Sequence, residues 1–220
     1  MYFPITVVDN FYDNFDQIKE LADKAQYYKK EIFTMPGVES KPLNEIHPLL
    51  YQQACHRILA LFFNRHGDRD HLRWTCSSRF EKIIPYGKHY DKGGWVHNDD
   101  NNKLSGILFL QGNDDEGTSF YSNTEAGVFH NQRLVVKEKL HRGIQVDPKE
   151  YNFNLKEHNK PFKKILRVPN IANRIVLFDS TILHAADGLG SLEKPRMIQT
   201  FFFGSISADS FPIPELRKVI

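Results

Sequence analysis

Gly93-Gly94-Trp95-Val96-His97-Asn98-Asp99 is the stretch whose reading decides the fold of this chain. In an extended backbone, residues two apart point to the same side. His97 and Asp99 then present an imidazole and a carboxylate side by side. Those are two of the three groups in the 2-His-1-carboxylate set, which holds non-haem iron and leaves coordination positions open. The pair needs a third ligand from a distant part of the chain, and strands on either side to carry it.

The flanking sequence reads as strands. Leu104 to Leu110 is a nearly continuous apolar run, suited to a strand buried on both faces. Asn113-Asp114-Asp115-Glu116-Gly117 reads as a turn, and Thr118 to Tyr121 starts another strand. Upstream, Leu72 to Ile84 is strand-like until Pro85-Tyr86-Gly87 breaks it. Lys164 to Val168, Arg174 to Phe178 and the Phe-rich Gln199 to Phe203 add three more.

Before residue 71 the pattern is mostly helical. The β-branched run Ile5 to Val8 is a short strand. A helix follows, capped by Asp13 or Asn14, with Phe15, Ile18, Leu21 and Ala22 at helical spacing. A second helix is expected from about Asn44 to Arg65, with Pro48 tolerated only in its first turn. Many short strands behind two helices predict a mainly β fold with flanking helices, a β-sandwich or jelly roll. The 220 residues suit a single domain, helical over about 1–70 with a jelly-roll core over about 71–210. Ser122 to Phe162 is long and mixed. Part of it must carry strands joining the two halves, and the rest reads as an insertion or lid within 122–162. His130, His141 and His158 fall there and are not read as ligands.

Composition narrows the function classes. Hydrophobic residues make up 40%, with 17 Phe and 9 Tyr, which is globular and not disordered. The net charge of +2 carries no basic block that would argue for nucleic acid. No apolar run approaches the roughly 20 residues of a membrane span, and Met1-Tyr2-Phe3-Pro4 does not open like a signal peptide. A soluble cytoplasmic protein is expected, with Cys55 and Cys76 as reduced thiols. The oligomeric state is not readable.

The third ligand candidate is His184, just past the apolar strand that ends at Phe178-Asp179. Twelve residues later, Arg196 opens a strand of otherwise apolar character. A guanidinium rooted there must reach water or an anion, and its planar fork suits a carboxylate.

With these pieces in place the sequence resembles the 2-oxoglutarate- and Fe(II)-dependent dioxygenases, and looks most like their prolyl 4-hydroxylase-like branch. The resemblance rests on His97-x-Asp99, on Leu104 to Leu110 followed by Gly117-Thr118-Ser119-Phe120, on Asn173 to Phe178 leading into His184, and on Arg196. It spans about Trp74 to Gly204, with a gap in the middle. It implies a double-stranded β-helix of cupin-like form around Fe(II), held by His97, Asp99 and His184 as metal ligands and catalytic residues. It implies 2-oxoglutarate as cosubstrate, its far carboxylate on Arg196, and O2 as the second cosubstrate. Hydroxylation of a small molecule or a peptide or protein side chain, with release of succinate and CO2, would follow. Tyr86 is a further candidate for the cosubstrate carboxylate. Thr200 shares the strand face of Arg196 and is a candidate for the pocket, as is Trp95, in parity with His97. Two other readings stay open: a cupin-like metalloprotein that uses no oxoacid, which Arg196 argues against, and a non-catalytic binding module on the same scaffold, which the intact triad argues against.

Overall fold

The β-branched and aromatic runs assemble into two antiparallel sheets. The computed structural model describes residues 3–29, 36–63, 72–99, 101–123 and 134–208. In chain order the elements are β1 (Thr6–Val8), α1 (Phe15–Lys24), β2 (Tyr27–Tyr28), β3 (Gly37–Ser40), α2 (Leu43–Ile46), α3 (Pro48–Leu59), β4 (Arg73–Ile83), β5 (Leu104–Phe109), β6 (Asn113–Asn123), α4 (Leu134–His141), α5 (Pro148–Asn159), β7 (Phe162–Asn170), β8 (Ile175–Asp179), β9 (His184–Asp187) and β10 (Arg196–Ser207). The larger sheet runs β1-β8-β5-β10-β4-β3-β2, and the smaller runs β7-β6-β9.

The large sheet sorts its side chains by strand parity. On β10, Met197, Phe201 and Phe203 join Ile18, Ala22, Ala54 and Ile58 of α1 and α3 in one buried core. Phe109, Val176 and Ile198 face the other way, packing with Phe120 of β6 in a second core between the sheets. Alternate residues Arg196, Ile198, Thr200 and Phe202 line a cavity on that same inner side. Helices α1 and α3 therefore brace one face of the sheet and leave the other for the site.

Three expectations change. The second helix is split: Pro48 starts α3, and His47, kept out of the helix, accepts a hydrogen bond from Leu50 N–H on Nδ1 at 3.2 Å. The single turn of α2 precedes it, and α3 ends at Leu59 in place of Arg65, which lies outside the described residues. Asn113 to Gly117 is not a free turn but the irregular start of β6, with pairing to β7 broken between Asn113 and Gly117. The described part of 122–162 contributes α4 and α5 between the ends of β6 and β7, with no separate strand there. His130 lies outside the described residues. Among the described residues, no helix is long and apolar enough to cross a membrane.

β1 pairs with β8 through its backbone, and the segment that follows it is clamped by one side chain. Asn173 sits in left-handed conformation at φ 62°. Its Oδ1 accepts from Tyr12 N–H and its Nδ2 donates to Tyr12 O, both at 2.8 Å. Asn tolerates this conformation better than alanine, and both bonds are buried. Asn173→Ala is expected to lower unfolding free energy by about 2–4 kcal/mol, read from urea denaturation. A loss below about 0.5 kcal/mol would show that the segment between β1 and α1 docks without this clamp.

Candidate metal centre

The stretch Gly93 to Asp99 docks onto β9 as an irregular strand. His97 and His184 exchange both backbone hydrogen bonds, at 2.9 and 2.8 Å. Gly94 N–H donates to Ala186 O at 2.8 Å, and a Cβ on Gly94 would stand 2.7 Å from Ala186 N. Only glycine lets the two backbones approach this closely. Asp99 N–H donates to Ser180 O at 2.7 Å.

This pairing brings the three predicted side chains together. Ligand atoms of His97, Asp99 and His184 all lie within 4.8 Å of one another. Asp99 Oδ1 is 3.8 Å from His97 Nε2, and Oδ2 is 3.5 Å from His184 Nε2. Each imidazole is oriented by its own backbone: His97 Nδ1 is 2.8 Å from Trp95 O, and His184 Nδ1 is 2.9 Å from Ile182 O. A carbonyl can only accept, so each Nδ1 carries the proton and each Nε2 keeps a lone pair turned towards Asp99. Ser105 Oγ donates to Asp99 Oδ2 at 2.8 Å, with Ser180 Oγ 2.8 Å behind it. Desolvation pushes both imidazoles below the ordinary histidine range, with His184 buried and the His97 side chain 43% exposed. For His97 the proximity of His184 and Lys137 adds to the effect, and for His184 Asp99 opposes it. Two neutral imidazoles and one carboxylate with donors fixed from behind suit a divalent first-row cation.

The helix α5 completes the strand from its other side. Asn159 Oδ1 accepts from Val96 N–H at 3.0 Å, and its Nδ2 donates to Gly94 O at 3.0 Å. His158 Nε2 is 2.8 Å from Val96 O. Asn152, two turns earlier, accepts from Asp91 N–H and donates to His89 O. Trp95 is buried beneath α5, with Nε1 donating to Tyr151 Oη at 3.1 Å, and it also lines the cavity. Sequence reasoning missed this clamp. Its trace in the sequence is Asn152 and Asn159 at a spacing of seven, one helical face.

A cavity of about 580 Å³ opens beside the triad, and Tyr86, Arg196 and Thr200 all line it. Arg196 is 1% exposed. It donates to Gly117 O at 2.8 Å, Gly188 O at 3.0 Å and Thr118 Oγ1 at 3.5 Å, while its buried Nε has no partner among the described residues. Burial lowers its pKa to about 10, against the pull of Glu116 and Asp187, so it stays cationic at neutral pH. Tyr86 packs edge-on to Tyr151 and beside Tyr90. Thr200 donates its one hydroxyl proton to Glu81 Oε1 at 3.0 Å, which leaves it only acceptor capacity. Thr118 accepts from Arg196 and retains its proton, so it is the better-placed hydroxyl at that end. Lys137 enters the cavity from α4, with burial pushing its amine down to about 8 against the pull of Asp99.

A family model described as "Family of unknown function (DUF6445)" matches residues 2–189. No curated protein matches the chain by sequence. Among solved structures, EvdO2 from Micromonospora carbonacea var. aurantiaca complexed with 2-oxoglutarate is similar at TM-score 0.53 and 12% identity, over 96% of this chain and 90% of that one. HygX from Streptomyces hygroscopicus with nickel, 2-oxoglutarate and hygromycin B bound is similar at TM-score 0.51 and 11% identity, over 91% and 82%. The epimerase SnoN from nogalamycin biosynthesis, in complex with Fe3+, alpha ketoglutarate and nogalamycin RO, gives TM-score 0.52 and 12% identity, over 90% and 78%. At these identities the likeness is one of fold: a mainly antiparallel, cupin-like β architecture with a few helices.

Groups that orient a metal-binding carboxylate typically carry 10- to 100-fold of metal affinity. Ser105→Ala is therefore expected to weaken Co(II) binding by about that factor, measured by spectroscopic titration, with the fold intact by circular dichroism. Unchanged affinity would show that Asp99 needs no support from Ser105 to take a metal.

Proposed function

We propose that this chain, which belongs to the DUF6445 family, is a non-haem Fe(II)- and 2-oxoglutarate-dependent oxygenase that acts on a small molecule. One observation carries the reading. The His97–Asp99–His184 cluster shares a cavity with a fully buried arginine that has one unpartnered nitrogen. A cupin-like metalloprotein that used no oxoacid would have no reason to bury Arg196 there. An anionic cosubstrate removes the mismatch. The neighbours solved with 2-oxoglutarate support the same assignment.

His97 and His184 would bind the metal through Nε2 and Asp99 through a carboxylate oxygen. Arg196 would take the far carboxylate of 2-oxoglutarate, with Thr118 donating beside it and Tyr86 as a further contact. Bound iron supplies the activation of O2, coupled to conversion of 2-oxoglutarate to succinate and CO2. The chain's part is to orient the cosubstrate between Arg196 and the triad, beside the Trp95–Tyr151 wall under α5. The volume of about 580 Å³ suits a small molecule. Hydroxylation is the outcome we favour. A double-stranded β-helix is the form we assign to the two sheets, and the prolyl 4-hydroxylase-like branch rests on motif spacing alone.

Anaerobic addition of Fe(II) and 2-oxoglutarate should give a weak visible metal-to-ligand charge-transfer band. His184→Ala should abolish it. Arg196→Met, which keeps volume, should weaken 2-oxoglutarate binding by about 30-fold or more while sparing the metal. No band in the wild-type protein, or full cosubstrate affinity in Arg196→Met, would overturn the assignment.

A further inference from the structure

The cavity has a second polar wall that neither the triad nor Arg196 uses. Register places it: on the inner face of the large sheet, Glu81 of β4 stands opposite Ile198 of β10, and Glu39 of β3 stands opposite Glu81. Arg79, two residues before Glu81, points the same way, and all three line the cavity. Glu39 is 4% exposed and Glu81 is 5% exposed. Two carboxylates directly across a strand pair repel each other unless a cation lies between them. Arg79 supplies one cation. Its Nη1 is 3.3 Å from Glu39 Oε1, and it also donates to Tyr28 Oη at 3.0 Å and Ser40 O at 3.3 Å.

Glu81 is left over. Its Oε1 accepts from Thr200, a neutral donor, and its buried Oε2 has no hydrogen-bond partner among the described residues. Neither Arg79 nor Lys137 forms an ion pair with it among the described residues, and Arg196 reaches away from it towards Gly117 and Gly188. Burial, then the nearby Glu39 and Asp99 carboxylates, push its pKa up to about 7 against Thr200 and Arg79. Glu81 and the three triad residues line the same cavity.

We infer that Glu81, backed by Glu39, is the recognition point for a protonated amine on the primary substrate. The inference rests on the oxygenase reading of this cavity and names its substrate class. An ammonium brings both the charge and the donors that Oε2 lacks. An anion would face two carboxylates, and a neutral hydroxyl would offer a single donor and no charge. The cavity would thus bind its two organic ligands by opposite charge: an oxoacid at Arg196 and an amine at Glu81.

Cyclohexylamine and cyclohexanol are probes of matched shape that differ in charge. Their dissociation constants can be read by ligand-observed NMR at pH 8 on the metal-free protein. The amine is expected to bind at least about tenfold tighter than the alcohol. Glu81→Gln should erase that preference and leave 2-oxoglutarate affinity unchanged. Equal affinities, no detectable amine binding, or a preference that survives Glu81→Gln overturns the inference, and then water or Lys137 satisfies Glu81. If Glu81→Gln does not fold, the wild-type comparison decides by itself. A charge-transfer band without an amine preference removes this inference alone. An amine preference without iron and 2-oxoglutarate binding removes the oxygenase reading and leaves the amine site.

Discussion

Two backbone hydrogen bonds between His97 and His184 are the constraint on which the site depends. They join residues 87 apart in sequence and set both imidazoles on one side of one strand pair. Asp99 then falls beside them because it is two residues from His97. The glycine that lets the strands close and the carbonyls that fix the tautomers belong to this contact, and Ser105 of β5 supports the carboxylate from the other sheet. Contacts this far apart in sequence carry a large loop-closure cost, which the surrounding strand pairing must offset.

Much of this was legible in the residues. The apolar run Leu104 to Leu110 and the Phe-rich stretch before Gly204 read as buried strands because β-branched and aromatic residues suit a pleated surface packed on both sides. His97, Asp99, His184 and Arg196 could be singled out because each is a polar group where the local pattern is extended or apolar. The remainder depended on tertiary context. Asn113 to Gly117 carries every mark of a turn, yet pairing with β7 draws it into β6. Helix α5 has polar residues whose partners are backbone atoms more than fifty residues away, and no periodicity reveals such partners. Thr200 shared a face with Arg196 as parity predicted, but its proton was already engaged by a glutamate from another strand.

Glu81 illustrates the same limit in the opposite direction. Within Arg79-Phe80-Glu81 the alternation says only that two charged residues share a face. It takes the register with β3 and β10 to show that the shared face is the inside of a cavity. Charge buried at such a place has a function or a partner, and the sequence alone names neither.

The bond between α5 and Val96 also bears on association between chains. His97 turns its backbone groups towards β9, so Val96 turns its own towards the other side, where a further strand could add. Asn159 and His158 occupy that side with side-chain donors and acceptors. A helix, which cannot extend a sheet, closes the edge at the strand that carries His97 and Asp99. The protein thereby shields this backbone from strand exchange with another copy, and β7 forms the opposite edge of the small sheet.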